Sequence, residues 1–371
     1  MRLVDDRERR ARLAVRHGLH PDHRASDPVT AAEAVVCLHA TEAATVHLAV
    51  GARTTGIAPV DVERSLYEDR SLVKQLAMRR TLFAFPRDLL PAALGVALSR
   101  LAPEQRRLIS RDAARHGIAE DGDAWLDAAG GAVVSRLTGS APLSARALRE
   151  ELPELSGAIT VNEDKRYGGT FNLAPRVLTW LGAEGRITRG ANAGHWRLSK
   201  PAWALLPDWL GEIVTPLALD EAYAQLVRRW LSQFGPGTLE DVQWWLGATK
   251  GATRAALAAV GAVEVALERD RTGGCCRTTS IRSRTSPHGP HCSRPSTRRR
   301  WGGSTARPIS TRPTASCSST ASATAGARPG GTAGSWAPGS RTTTASSPWS
   351  SAPAPTSVAK GGPPSPSRRS D

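Results

Sequence analysis

One change in residue usage divides this chain of 371 residues and limits where it can build a hydrophobic core. From Arg271 to the end there is no Leu, Phe, Tyr or Met, and 36 of the 101 residues are Ser or Thr. Such a segment cannot bury enough apolar surface to offset the conformational entropy that it would lose on folding. We therefore predict a disordered C-terminal tail over residues 268–371 and look for folded domains in the first 267 residues.

The excess of positive charge also belongs to the tail. The chain has 49 Lys and Arg against 34 Asp and Glu, a net charge of +15, and residues 271–371 account for +14 of it. The first 270 residues carry a net charge of only +1. A nucleic-acid-binding role for the folded part must therefore be argued from its motifs and not from total charge.

Several classes of protein are excluded. No run of about 18 apolar residues predicts a transmembrane helix, and the start, MRLVDDRERR, lacks the apolar region of a signal peptide. Cys37 is the only cysteine before the tail, so neither a disulfide framework nor a zinc site is expected. No Walker motif, GxGxxG after a strand or HExxH appears. We expect a cytoplasmic monomer with no cofactor, no metal and no membrane partner.

The folded part reads as three similar helical units. We assign residues 1–94 to an N-terminal unit, 95–140 to a helical connector, 141–210 to a second unit and 211–267 to a third unit. Each unit predicts two or more helices followed by β-structure. Helix, helix and then a hairpin is the order of a winged helix, a variant of helix-turn-helix. The predicted fold class is therefore mainly α with small β-hairpins (α+β), built from tandem winged-helix repeats.

The sequence predicts individual helices and strands within these units. Residues 30–50 predict one long helix, and a second helix starts near Asp61. In the second unit, the helix around Arg176 is expected to be the recognition helix, and strands at 186–190 and 195–199 are expected to form its wing. The third unit ends after a single strand at 262–267, so it is predicted to be incomplete.

The tail has two interpretations. It is either a genuine disordered basic arm that binds nucleic acid without specificity, or the out-of-frame reading of a GC-rich gene. With codons built from the third base of one residue and the first two of the next, residues 291–303 permit LLPALDPTTMGW and residues 330–339 permit DGRIVGAW. Both strings contain leucine, acidic residues or valine, which the tail almost lacks. A frameshift near residues 268–275 is the favoured hypothesis.

Several segments resemble the winged-helix DNA-binding proteins grouped with the AlkZ-like DNA glycosylases. They are LHATEAATVHLAVGAR (38–53), LYEDRSLVKQLAMRRTLFAFPRDLLP (66–91), NLAPRVLTWLGAEGRITRG (172–190) and FGPGTLEDVQWWLG (234–247). The resemblance covers roughly residues 7–267, and the spaced set LYEDRSLV, MRRT and QWW is fairly specific to the family. It implies a C-shaped protein of tandem winged helices that wraps double-stranded DNA, and, in the characterised glycosylases, removal of alkylated or cross-linked purines.

The resemblance also points to a catalytic position. Catalytic members of the family carry Gln-x-Gln or Gln-x-Asp on the first long helix, where this sequence has His39-Ala40-Thr41. His39 could accept a proton from water as a general base, and Thr41 could position that water. Glu42 follows directly, but on a helix it would point about 100° away from Thr41. The alternative is that His39 packs in a helix cluster and catalyses nothing.

Basic residues of two units are candidates for DNA contact. Each of them lies on a predicted hairpin, recognition helix or wing. They are Lys74, Arg79, Arg80, Arg176, Arg186, Arg189 and Arg197. Phosphate contact is weighed against a solvated face neutralised by acidic neighbours. Tryptophans such as Trp180 and Trp244 are expected in the core rather than in a stacking platform.

Three functions therefore remain open. The chain is a DNA glycosylase-like enzyme that hydrolyses the N-glycosidic bond, a DNA-binding protein whose catalytic pair has been replaced, or a non-functional product of a frameshifted gene. The His-x-Thr pair favours the second over the first. For this polypeptide, the incomplete third unit favours the last possibility, a non-functional product of a frameshifted gene.

Overall fold

A computed structural model describes residues 2–161, 168–268 and 271–275 of the chain. Helices predominate, and the strands of these residues form small sheets of two or three strands, so the predicted mainly helical α+β class is confirmed. Within the same residues, no helix has both the length and the apolar character that crossing a membrane requires. Most of the tail predicted to be disordered lies outside the described residues.

The first unit has the order helix, strand, helix, helix, strand, strand. After β1 (Leu3–Val4) and α1 (Asp6–Arg16), its elements are α2 (Pro28–Glu33), β2 (Leu38–His39), α3 (Ala43–Gly51), α4 (Pro59–Glu63, continued by a π-helical turn Arg64–Glu68), β3 (Leu72–Leu76) and β4 (Leu82–Pro86). The three strands pair antiparallel in the order β2-β4-β3. One face of this sheet packs on the unit's own helices through Leu38, Leu72 and Ala84.

The long helix predicted over residues 30–50 is wrong. Helix α2 ends at Glu33, and Val36 has a left-handed backbone with φ of 71°. A β-branched residue in that conformation cannot continue an α-helix. The chain turns there, with the Val36 side chain fully buried, and Leu38 then pairs with Ala84 in the sheet. Leu38 and His39 therefore form a strand and not part of a helix.

A continuous helical connector leads from the first unit to the second. It consists of α5 (Leu90–Val96), a π-helical turn (Ala97–Leu101) and α6 (Ala102–Arg115). The second unit then contains α7 (Gly122–Leu137), β5 (Leu143–Ser144), α8 (Ala145–Glu151), β6 (Ala158–Val161), β7 (Gly169–Asn172), α9 (Ala174–Ala183), β8 (Ile187–Asn192), β9 (Pro201–Leu205) and α10 (Leu206–Leu210). Strands β6 and β7 form a separate hairpin, and the other three pair in the order β5-β9-β8.

The second strand of the predicted wing lies further along the chain than expected. Strand β9 spans Pro201–Leu205, not residues 195–199, and its outermost pairing joins Pro201 to Asn192. Gly194, with φ of 93°, helps the chain leave β8, and a loop follows up to Lys200. Residues 195–199 therefore form the tip of this hairpin rather than one of its strands.

The third unit does not stop after one strand. It contains α11 (Leu219–Phe234), α12 (Leu239–Leu246), α13 (Lys250–Ala259), β10 (Val263–Leu267) and β11 (Arg271–Cys275). Strand β11 pairs antiparallel with β10 along its whole length, and β1 pairs parallel with the other edge of β10. Sequence reasoning ended the unit early because Arg-Thr-Gly-Gly-Cys has the composition of the tail, whereas backbone pairing needs few apolar side chains.

The three units share one strand order. In the first two, the first strand pairs with the third and the third with the second. In the third unit, Gly237 pairs with Gly274 of β11. Gly237 therefore stands where the other units have their first strand, and β10 and β11 correspond to the second and the third strand. The outer face of the first sheet, through Phe83 and Phe85, packs on α5 and on the helices of the third unit in one core. This core joins the first and third units and leaves part of that sheet face open beside it.

Acid should destabilise the contact between α1 and α11. His17 caps the end of α1, is 8% exposed and meets the ring of Phe234 edge-on at 4.5 Å. Burial, with Arg53 nearby, lowers the pKa of His17 from 6.5 to about 4. Because the unfolded chain takes up this proton first, stability is lost as the pH falls from about 6.5 through about 4. The loss is at most about 3 kcal/mol, and less where water reaches the ring.

The measurement is urea unfolding at a series of pH values from 7 to 4. His17→Gln should show a smaller loss of unfolding free energy over this range than the wild type. His23→Gln changes an exposed histidine and serves as the control. Equal pH dependence in His17→Gln and the wild type would show that His17 does not carry the effect.

Candidate nucleic-acid interface

His39 and Thr41 lie close together in the sequence at the edge of the first sheet. His39 is the last residue of β2, and Thr41 follows in a bend of the chain. Leu38 and Ala40 are buried, whereas His39 and Thr41 are exposed. The Ala40 amide donates to the Leu82 carbonyl at 2.9 Å, which fixes the segment against β4, and the His39 ring lies edge-on to Phe83 at 5.8 Å.

His39 is therefore held by a strand, and neither His39 nor Thr41 lies on a helix, which corrects the geometry expected from the sequence. Glu42 lies directly before α3, with φ of −95° and ψ of 126°. Thr41 and Glu42 are both exposed, so the alternation of a strand does not continue through them.

Arg79 and Arg80 lie at the tip of the β3–β4 hairpin. Both are exposed, and both have left-handed backbones, with φ of 54° and 56°. The Thr81 amide donates to the Met78 carbonyl at 3.0 Å, so these two arginines are the central residues of a tight turn. Glycine or asparagine usually occupies such positions, since each left-handed residue of another type costs about 1–2 kcal/mol.

Contacts with other elements support this strained turn. The Arg79 guanidinium lies 4.0 Å from the centre of the Trp244 ring on α12. Arg80 donates to a Glu104 carboxylate oxygen at 2.8 Å, at the start of α6. The turn is therefore positioned by the third unit and by the connector as well as by its own strands.

Lys74 does not present its charge to solvent, contrary to its predicted role in DNA contact. Its side chain lies on the inner side of β3, is 8% exposed and donates to the Tyr67 hydroxyl at 2.7 Å. Burial, with Arg189 nearby, lowers the pKa of Lys74 to about 8. An ammonium in this position cannot reach a DNA phosphate without leaving the sheet.

The four arginines of the second unit differ in their surroundings. Arg186 is exposed, with Glu184 at 3.7 Å, and Arg197 is exposed at the hairpin tip, 5.0 Å from the Trp196 ring. Arg189 is half-buried over Trp203, and burial lowers its pKa. The Arg176 side chain is 16% exposed and donates to Asp112 at 2.9 Å. Arg186 and Arg197 remain available to a ligand on this unit.

Comparison with known proteins identifies the family of this chain. The sequence pattern of the family described as DNA glycosylase AlkZ-like matches residues 32–292, more than two thirds of the chain. This chain belongs to the AlkZ-like family. The match runs past residue 267, where the resemblance quoted from the sequence ends, and includes β11.

One solved structure supports the same fold for this AlkZ-like chain. The DNA glycosylase AlkZ of Streptomyces sahachiroi superposes with a TM-score of 0.57 at 22% sequence identity, over 75% of this chain and 71% of that one. At this identity the likeness concerns the fold. No curated protein matches the chain.

Two residues of this AlkZ-like chain were missed by sequence reasoning. Arg100 donates to the Tyr223 hydroxyl at 2.8 Å and to the Gly247 carbonyl at 2.7 Å, beside the hairpin turn. Trp244, expected in the core, is 67% exposed under Arg79. Nothing in the local pattern indicates that either residue meets the hairpin, because their contacts depend on how the units pack. Among the described residues, no group of three or more His, Cys, Asp or Glu side chains could hold a metal ion.

The Arg176–Asp112 pair should act on stability rather than on DNA affinity. Both side chains are largely buried, at 16% and 18% exposure. Loss of Asp112 leaves Arg176 without this carboxylate, whereas loss of Arg176 leaves Asp112 with Arg111 at 2.8 Å. We expect Arg176→Gln and Asp112→Asn each to lower the unfolding free energy by about 1–3 kcal/mol, and the double variant to lose less than the sum. Urea unfolding tests the first effect. A weaker DNA affinity in Arg176→Gln that Asp112→Asn lacks would show that Arg176 contacts DNA.

Proposed function

We propose that this chain binds double-stranded DNA and hydrolyses the N-glycosidic bond of alkylated bases, with His39 as general base and Thr41 as the residue that positions water. One observation carries the proposal. His39 on β2 and Thr41 directly after it are both exposed, in the sheet whose hairpin tip carries Arg79 and Arg80, and the resemblance implies that they stand at the family's catalytic pair.

The arrangement suits the chemistry. The base leaves C1′ with the bonding electrons of the C–N bond, and an alkylated purine that carries positive charge leaves as a neutral molecule. Water attacks C1′ as the sugar becomes oxocarbenium-like. His39 takes the proton of that water, and the Thr41 hydroxyl orients the water. The exposed arginines hold the strand through its phosphates.

The repeated architecture supports a DNA-binding mode. Each unit has a helical part followed by an antiparallel hairpin, and the strand order recurs from unit to unit. This is the plan of tandem winged helices, which present helices and hairpins to a duplex. We propose that the partner is double-stranded DNA and that the protein acts as a cytoplasmic monomer. Lys74 and Arg176 are left out of the proposed DNA contacts because of their burial.

A second candidate is DNA binding without catalysis. It is favoured by the residue types at the pair, since histidine and threonine stand where catalytic members carry glutamine with glutamine or aspartate. Neither residue supplies a negative charge beside the developing cation. Glu42 is the nearest acidic residue in sequence, and it stands at the start of α3.

The deciding experiment is a base-release assay with the full chain on a duplex that contains alkylated purines, run beside a binding assay on the same duplex. Release that depends on enzyme concentration supports the glycosylase proposal. Binding without release supports the second candidate. Neither binding nor release would argue against both.

The frameshift remains a hypothesis about residues that lie mostly outside the described structure. Strand β11 and the family match up to residue 292 both continue past 267, so a change of frame would have to spare β11 or follow it. Sequencing the gene across codons 260–280 tests the hypothesis as first stated. A single added or missing base would support it.

A further inference from the structure

A positively charged cavity opens where the β3–β4 hairpin meets α12 and the connector. Its volume is about 370 Å³. Arg79, Arg80, Arg100 and Glu104 line it together with apolar residues such as Val96 and Leu246. The cavity is larger than a phosphate group needs, so a phosphate could enter with part of the sugar attached to it.

The charges around this cavity are not balanced. Arg80 pairs with Glu104. Arg100 bonds only to a hydroxyl and a carbonyl, and Arg79 lies on the Trp244 ring. Among the described residues, no carboxylate lies within ion-pair distance of Arg79 or Arg100. Two guanidinium groups are therefore left with positive charge at the rim, and a guanidinium fork matches the oxygens of a phosphate.

The local backbone is shaped around these arginines. Arg79 and Arg80 both adopt left-handed conformations that glycine or asparagine would adopt at lower cost. The Arg79 side chain runs along Gly247, where an added Cβ would lie 2.9 Å from Arg79 Cγ. Strain at consecutive residues that point charge into one cavity is a feature of functional sites.

The cavity lies at the hairpin end of the sheet that carries His39. Its lining residue Ala77 pairs with Thr81, since the Ala77 amide donates to the Thr81 carbonyl at 3.1 Å. The pairing of His39 with Phe83 and the bond from the Ala40 amide to the Leu82 carbonyl place Thr41 near this end of β4. A group bound at Arg79 and Arg100 therefore lies at the same end of the sheet as the proposed catalytic pair.

We propose that this cavity binds a backbone phosphate of the DNA strand through Arg79 and Arg100, with Trp244 positioning Arg79 and Glu104 limiting the charge of Arg80. The inference rests on the proposed DNA binding and adds a specific phosphate site to it. The charge of Glu104 limits the affinity of the site for phosphate, because its removal frees Arg80 to act as a third phosphate ligand.

The test is fluorescence anisotropy of a labelled 20-base-pair undamaged duplex with the full chain over a series of salt concentrations. Each phosphate contact that is lost reduces the slope of log K against log salt by about 1. We expect this reduction in Arg79→Gln and in Arg100→Gln. Arg100 also bonds to protein groups, so Arg79→Gln is the cleaner variant. Glu104→Gln should do the opposite, with a steeper slope and tighter binding at low salt.

The matched control is Arg115→Gln, an exposed arginine at the other end of α6, about 16 Å along the helix from Glu104. It removes the same charge and should leave the slope nearly unchanged. Thermal unfolding of each variant checks that the fold is retained. A merely structural role of Arg79 could weaken binding but would not reduce the salt slope by about 1.

The outcomes separate this inference from the proposed function. If the wild type binds duplex and Arg79→Gln has the slope of Arg115→Gln, the phosphate site is wrong and the proposed function stands. If Glu104→Gln binds no more tightly than the wild type, the site is also wrong. If the wild type binds no duplex at any salt concentration, both the site and the proposed function fall.

Discussion

Replacement of His39 by alanine is expected to lower the rate of alkylated-base release by about 10²-fold or more, the usual contribution of a positioned general base. The exposed ring has its one aromatic contact, at 5.8 Å, with Phe83, so its loss should leave the fold intact. Duplex affinity should change little, because the phosphates are held by arginines. Single-turnover release from an alkylated duplex measures the effect on chemistry apart from binding.

Three further variants test whether the loss of base release is specific to His39 and Thr41. Thr41→Val keeps the shape of the side chain and removes its hydroxyl, so we expect a smaller loss than in His39→Ala. The double change His39→Gln with Thr41→Gln restores the Gln-x-Gln pair that the resemblance implies for catalytic members, and it should keep base release above that of His39→Ala. His23→Ala alters an exposed histidine as control. Wild-type release in His39→Ala would refute the assignment of His39.

Replacement of Trp180 by alanine is expected to cost about 3–5 kcal/mol of unfolding free energy. Trp180 lies on α9, is 1% exposed and is one of the largest fully buried side chains among the described residues. Its ring lies so close to Gly130 of α7 that an added Cβ there would be 2.8 Å from Trp180 Cζ3. The substitution leaves a large cavity between α7 and α9 that the backbone cannot close.

Urea unfolding measures this cost, and the chain offers a matched control. Trp244→Ala removes the same side chain from a position that is 67% exposed, so its effect should stay within about 0.5 kcal/mol. Trp180→Phe refills part of the space and should recover part of the loss. Similar costs for Trp180→Ala and Trp244→Ala would contradict the packing described for α9.

Sequence reasoning succeeded where local pattern and local structure agree. The helix predicted around Arg176 is confirmed, because Ala174–Ala183 carries apolar residues at helical spacing and is soon followed by Gly185 with φ of 71°. It failed at residues 30–50 because Val36 takes a left-handed conformation that only tertiary packing supports. That failure changed the geometry inferred for His39.

The candidate site was only partly predictable for the same physical reason. The spacing of His39 and Thr41 is visible in the sequence, but whether they face the same side depends on strand or helix. Lys74 reads as a surface cation and is in fact 8% exposed, because β3 turns it toward Tyr67. The positive charge at the cavity comes from Arg79 on the β3–β4 turn and from Arg100 on the connector. Because these residues belong to different elements, no local sequence pattern could reveal that they line one cavity.

The pairing of β1 with β10 has a consequence for how the chain is made. Leu3 and Val4 leave the ribosome first, and their partners Ala266 and Leu267 are added more than 260 residues later. At about 5–20 residues per second, the first strand waits roughly 10–50 s for its place in a sheet. This sheet thus ties the beginning of the polypeptide to its third unit, so a premature stop before Val263 leaves β1 without a partner.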